Sequence, residues 1–251
     1  MHFLCLHGIG TNSDIFQAQT AAIRFELGDE HTYDFVDGPI ACEPANGIER
    51  MMASKAGTVD IPQCYSYFDW YSPESILSAI DWLSSYIETN GPYDGVIAFS
   101  QGTCLVSTLM LQHSRLDLDG EEPLFKCVIL FSGILPLNIE ALELGRRVQF
   151  GRVDPSEAQY SDSDNESEIS VDESDGELVE PFQIPSAHIW GTNDDYPLPQ
   201  GARVSELFAA RMRSSVTHQE GHSIPGARMG GNVSKIVRQI RKTIERAEMA
   251  H

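Results

Sequence analysis

Apolar positions in this chain fall into short continuous runs, separated by longer stretches in which they recur every three or four residues. The runs at 2–7, 31–36, 95–99, 126–131, 185–190 and 214–218 read as strands. Gly95-Val96-Ile97-Ala98-Phe99 is non-polar at every position, the pattern of a strand covered on both faces. The run 214–218 is the weakest, because Ser-Ser-Val-Thr-His is mostly polar. The clearest helix follows Ser72-Pro73-Glu74, which supplies an N-cap, a proline at the first helical position and an early acid. Its apolar positions Ile76, Leu77, Ile80, Leu83 and Ile87 keep helical spacing until Asn90-Gly91-Pro92 stops it. Further helices are expected from about residue 13 to 27, from Thr103 to Leu111, and from about 231 to 247. Alternation of this kind specifies an α/β fold: a mostly parallel sheet of about six strands flanked by helices.

Two stretches break the alternation. Residues 38–72, rich in Gly, Pro and aromatics, read as a long connection over the C-terminal edge of the sheet. Residues 154–180, with Ser-Asp-Ser-Asp-Asn-Glu-Ser-Glu at their centre, are too charged to bury surface and read as a disordered acidic insertion. A length of 251 residues suits one large domain over 1–251 with that insertion inside it.

Composition is 41% hydrophobic, ordinary for a globular chain, and no run approaches the length of a membrane span. The start, Met1-His2-Phe3-Leu4-Cys5-Leu6, reads as a strand rather than a signal peptide. Five scattered cysteines with no CxxC pair point to free thiols, hence to a cytoplasmic location. The net charge is −20, with eleven acids and no Lys or Arg between Val153 and Glu180, so the remainder carries −9. That sign excludes nucleic acid as an expected partner, because phosphates repel it. Cations gather locally instead, at Lys235, Arg238, Arg241, Lys242 and Arg246 near the C-terminus and at Arg146, Arg147 and Arg152 before the insertion.

The chemistry centres on Ala98-Phe99-Ser100-Gln101-Gly102. A serine between a buried strand and a helix, with small residues two before and two after it, is a nucleophile elbow, here with Ala98 where glycine is usual. A serine hydroxyl needs an imidazole to remove its proton and a carboxylate to orient that imidazole. Asp194 in Gly191-Thr192-Asn193-Asp194-Asp195, after the strand 185–190, is the expected acid, with Asp195 as its neighbouring alternative. His222 in Gly221-His222-Ser223, before the last helix, is the expected base, in preference to His218. Donors for the oxyanion are expected from the backbone N–H of Gln101 and of Ile9, in the loop His7-Gly8-Ile9-Gly10-Thr11-Asn12. His7 reads as a prop for that loop, and Cys104 as core. Phe68, Trp70, Tyr71, Trp190 and Tyr196 either line an apolar acyl pocket or belong to the core. No His/Cys/Asp cluster has metal spacing, and no cofactor is expected.

Four segments in order, Leu4–Asn12, Phe35-Val36-Asp37-Gly38-Pro39, Gly91–Gly102 and Gly221-His222-Ser223-Ile224-Pro225, resemble the fungal serine hydrolase family. That family includes the yeast serine hydrolases and the human ovarian-tumour-associated hydrolase. The resemblance covers nearly the whole chain except the acidic insertion. It implies an α/β-hydrolase fold with a lid or insertion region and a triad at Ser100, Asp194 and His222. Ala98, and Glu220 before Gly221, depart from the usual glycines without removing a catalytic group. The insertion and the Trp-Gly-Thr-Asn-Asp loop are similar to the branch that releases polyketide chains. This implies a thioesterase acting on an acyl chain held by an acyl carrier protein or polyketide synthase. Because such carriers and this chain are both acidic, docking is expected at a local basic patch, at Arg146 and Arg147 in preference to the C-terminal cations, since they lie closer to the expected active-site face. The same residues would also serve a carboxylesterase on a small ester, whereas a non-catalytic binding module would require a broken triad.

Overall fold

The structure, a computed structural model, describes residues 1–48, 62–116, 123–149, 181–194, 200–226 and 231–250. The acidic insertion and Arg152, Asp195 and Tyr196 lie outside the described residues. Six strands form one parallel sheet: β1 (His2–Leu6), β2 (Thr32–Val36), β5 (Gly95–Phe99), β6 (Cys127–Phe131), β7 (Ser186–Gly191) and β8 (Arg213–His218). Their order is β2-β1-β5-β6-β7-β8, so the chain leaves β1 in one direction and returns to pair on its other side at β5. The C-terminal ends beside such a reversal form a crevice where α/β proteins place their sites.

Side-chain alternation sorts the sheet's apolar residues into two layers. Leu4, Leu6, Val96, Ala98, Val128 and Leu130 face one side, against Ile76, Ile80 and Leu83 of helix α2 (Pro73–Asn90) and Leu105 and Leu109 of α3 (Gln101–Leu116). Phe3, Cys5, Ile97, Phe99, Ile129, Phe131 and Ile189 face the other, against Phe16 and Ile23 of α1 (Ser13–Leu27) and Ile236, Ile240 and Ile244 of α6 (Gly231–Ala250). The α2 start follows its sequence, with the Ser72 side chain accepting from the Ser75 N–H and Pro73 opening the helix. β8 is an edge strand, and its polar sequence suits that place, because only Val216 and His218 are buried.

The connection after β2 is more ordered than its composition suggests. Ile40–Cys42 (β3) and Cys64–Ser66 (β4) pair antiparallel, and Tyr65 forms a further bridge with Thr11. Two short helices, α4 (Ile139–Glu143) and α5 (Gly201–Glu206), also escape the sequence pattern, being too short to show a period. Among the described residues no helix is long and apolar enough to cross a membrane.

Candidate active site

The turn from β5 into α3 is tight. Ser100 has φ of 52°, a left-handed conformation that costs a non-glycine residue roughly 1–3 kcal/mol and persists only where its surroundings fix it. They do so here: the Ser100 N–H donates to the Phe131 carbonyl (3.1 Å), and the Thr103 hydroxyl and N–H donate to the Ser100 carbonyl (2.6 and 2.8 Å). Ala98 lies wholly buried in the sheet, between register partners Leu6 and Leu130. At Gly102 a Cβ would stand 2.7 Å from the Leu6 carbonyl oxygen and 2.8 Å from that of His7. The small residue is required because the first turn of α3 runs against the end of β1.

Three strand ends converge on the serine. His222 Nε2 lies 2.8 Å from Ser100 Oγ, and its Nδ1 lies 3.0 and 3.1 Å from the Asp194 carboxylate oxygens. A carboxylate only accepts, so Nδ1 carries the proton and Nε2 is left with a lone pair facing the hydroxyl. The Asp194 side chain is 6% exposed and that of His222 19%, with the Phe99 ring beside the imidazole at 5.2 Å. The loops carrying the two residues brace each other: the Gly221 N–H donates to Asn193 Oδ1 (3.0 Å) and the Thr192 N–H to the His218 carbonyl (2.8 Å). Gly221 takes φ of 64° to make this turn. His218, by contrast, is a buried β8 residue whose Nδ1 accepts from the Glu220 N–H (3.2 Å), and burial pushes its pKa down.

The loop after β1 runs beside the elbow, since a Cβ on Gly8 would meet that of Ser100 at 3.2 Å. His7 holds this loop. Its Nε2 accepts from the Gly38 N–H (3.0 Å), so Nδ1 bears the proton and donates to the Gly8 carbonyl (2.7 Å), which also accepts from the Thr11 hydroxyl (2.7 Å). Burial lowers the His7 pKa, in keeping with this neutral form. Tyr65 accepts from Gly10 and donates to Thr11, and Ala45 donates to the Gly10 carbonyl. Among the described residues none of these bonds uses the half-buried Ile9 N–H. Gln101 opens α3, where the first N–H groups have no partner within the helix.

The Gln101 side chain has a role that its sequence position hides. It is wholly buried, accepts from the Tyr67 N–H (2.9 Å) and donates to the Phe68 carbonyl (2.9 Å) and Ser66 Oγ (3.0 Å). The residue next to Ser100 thereby fastens the segment that follows β4. A long amide among small and apolar neighbours was the signal available in the sequence.

The aromatic residues separate. Phe68 is core, 1% exposed, and Trp70 is half-buried with its ring edge-on to Phe68 at 4.7 Å. Tyr71 is 70% exposed. Arg147 donates to the Trp70 carbonyl and lies over the Tyr71 ring at 5.1 Å, so it is committed to this arm, whereas Arg146 is exposed. Trp190 packs against the start of α5, where a Cβ on Gly201 would meet its ring carbon at 2.6 Å. Among the described residues no group of three or more His, Cys, Asp or Glu side chains is placed to hold a metal.

The family model described as Serine hydrolase (FSH1) matches residues 1–230. Esterase FPY3 of Fusarium mangiferae is 31% identical over 249 residues, covering 98% of each chain. Thioesterase FSL2 of Gibberella zeae is 28% identical over 243 residues, 88% of this chain and 84% of that one. Among solved structures, a carboxylesterase from Mesorhizobium loti superposes with a TM-score of 0.53 at 15% identity, over 96% of this chain and 88% of the other, a likeness of fold.

Proposed function

The chain belongs to the FSH1 serine hydrolase family, an esterase-type hydrolase with the α/β-hydrolase fold, and from that premise we propose that it is a thioesterase with Ser100 as nucleophile. The observation that carries the chemistry is the Ser100–His222–Asp194 relay. His222 Nε2 takes the hydroxyl proton as Ser100 Oγ attacks the acyl carbonyl, and Asp194 holds the imidazole and balances its charge once protonated. The N–H groups of Ile9 and Gln101 stabilise the tetrahedral oxyanion. Collapse expels the thiol, protonated by His222, and leaves an acyl-Ser100 ester. Water, activated by the same imidazole, then releases the acid.

The finer reading is that the acyl group is a polyketide chain delivered by an acyl carrier protein. Its support is the similarity, over 88% of this chain and 84% of the other, to a relative named a thioesterase, together with the segment at Tyr67 and Phe68, leading to Trp70 and Tyr71, that Gln101 fastens. With a chain net charge of −20, an acidic carrier would need a local cation, and exposed Arg146 directly precedes Arg147, which lies over the Tyr71 ring. The esterase names among the relatives favour a second reading, hydrolysis of a small oxoester. The test is kcat/KM on matched acyl-pantetheine thioester and oxoester substrates, and on carrier protein loaded with the same chain. A thioester preference of tenfold or more, with turnover of the loaded carrier, supports the thioesterase. An oxoester preference with no carrier turnover leaves the second reading.

A further inference from the structure

In the β3–β4 hairpin Cys42 stands directly opposite Cys64. Side chains of opposed residues in an antiparallel pair project from the same face of the ribbon, so the two thiols are neighbours. The N–H and C=O of Tyr65 are spent on Thr11 and Gly10, away from β3. By backbone alternation Cys64 turns its own toward β3, which makes Cys42 and Cys64 a hydrogen-bonded pair, with Cα atoms about 5.5 Å apart. That separation falls within the usual disulfide range of roughly 4.4–6.8 Å. Each group also senses its surroundings in the expected way: the Cys42 charge raises the Cys64 pKa, and the Gly10 N–H faces Cys42. Cys5, Cys104 and Cys127 lie separately in the sheet and helix core, with their thiols pushed up by burial.

We propose that Cys42 and Cys64 are a redox site: a dithiol that a low-molecular-weight disulfide converts to an intramolecular cystine stapling the hairpin under the loop after β1. Half-buried Cys42 is the entry point and buried Cys64 the resolving group. The Cys42 thiolate attacks oxidised glutathione, forming a mixed disulfide and expelling one glutathione thiolate. The Cys64 thiolate then attacks the Cys42 sulfur and expels the second. Two protons leave the protein thiols and two electrons reduce the glutathione disulfide. Burial raises both thiols, so thiolate is scarce at neutral pH and the exchange is slow. The bond closes a ring over residues 43–63, draws the Cβ atoms of this hydrogen-bonded pair in from about 5.5 Å toward the roughly 3.5–4.5 Å of a disulfide, and releases the Cys64 thiol from the Pro62 carbonyl.

The hairpin is joined to the loop carrying Ile9 by Gly10 N–H to Tyr65 O (3.0 Å), Tyr65 N–H to Thr11 O (2.7 Å) and Asn12 Nδ2 to Gln63 O (2.9 Å). The staple therefore tightens the site's support. The proposal is independent of the substrate assignment, because its readouts are mass and melting temperature. The purified full chain is equilibrated with oxidised glutathione, alkylated, digested and mapped, and its Tm compared with the reduced protein. Expected are a mass loss of about 2 Da, a peptide linking Cys42 to Cys64, and a Tm rise of roughly 5–10 °C that C42S and C64S both lack. Alkylation of both Cys42 and Cys64 after equilibration, a glutathione adduct that persists on Cys42, a link to another cysteine, or a cystine without a rise in Tm would each overturn it. Because oxidised and reduced wild type are compared directly, a variant that fails to fold leaves the test intact.

Discussion

Gly102→Ala tests whether the elbow is positioned by close approach of backbone to backbone. The added methyl would stand 2.7 Å from the Leu6 carbonyl oxygen, 2.8 Å from that of His7 and 2.9 Å from Leu6 Cβ. Ordinary contacts are about 3.5 Å, so the end of β1 and the first turn of α3 must part by roughly 0.5–1 Å. No flexible side-chain tip is available to give way, because two of the three atoms are main chain. The displacement carries Gly8 and Ile9 away from Ser100. A misplacement of about 1 Å costs on the order of 10²-fold in rate, and loss of an oxyanion donor about 10²–10³-fold. The expectation is a kcat lower by about 10²-fold with KM changed less than about threefold, and a stability loss of roughly 1–3 kcal/mol from overpacking. Turnover of a short-chain p-nitrophenyl ester and urea unfolding measure the two effects. Gly145→Ala is the control: Gly145 has φ of 73° and nothing within 4 Å of a Cβ, so it meets only left-handed strain of about 1–2 kcal/mol and keeps its kcat. A folded Gly102→Ala protein with kcat within threefold of wild type would refute the reasoning.

Asp194→Asn should lower kcat by roughly 10³-fold or more while His218→Ala stays within about tenfold, because only the first residue touches the His222 ring; comparable losses in single-turnover acylation would contradict this. Gln101→Ala should release the segment at residues 66–68, raising KM for long acyl substrates at least threefold more than for acetyl esters, and equal effects on both would show that the clasp does not shape the acyl site. His188 is wholly buried, with a pKa pushed down to about 3 by desolvation first and Arg213 second. Its folded pKa lies below the unfolded value of about 6.5, so the unfolded chain binds the extra proton and stability falls as pH drops from 6.5 toward 3, by up to about 1.4 kcal/mol per pH unit from this residue. His188→Gln should flatten that slope in urea titrations between pH 6.5 and 4.5, and an unchanged slope would assign the acid sensitivity elsewhere.

What the sequence reveals follows from how much each element buries. β1, β5 and β6 are covered on both faces, so their apolar runs are unmistakable, and α2 announces both its ends. The hairpin of β3 and β4 has three residues per strand, too few for a period of two to appear, and its partner Thr11 lies far away in sequence. For that reason the opposition of Cys42 and Cys64 cannot be read from the chain. Ser100, Asp194 and His222 were legible because strand ends and loop glycines mark where side chains collect, and the structure brings all three within hydrogen-bonding distance. The aromatic residues were not, since Phe68, Trp70 and Trp190 look alike in sequence and differ only in what packs on them. Arg147 reads as a free surface cation until Trp70 and Tyr71 are seen against it.

Covalent capture of the nucleophile tests the central claim most directly. The protein is treated with a fluorophosphonate probe, digested, and the modified peptide sequenced by mass spectrometry, with Ser100→Ala and His222→Ala in parallel. The relay predicts a single phosphonylated residue, Ser100, with labelling abolished in Ser100→Ala and slowed by about 10³-fold or more in His222→Ala, both variants retaining the wild-type circular dichroism spectrum. A label on any other residue, or labelling that persists in folded Ser100→Ala, would contradict the account.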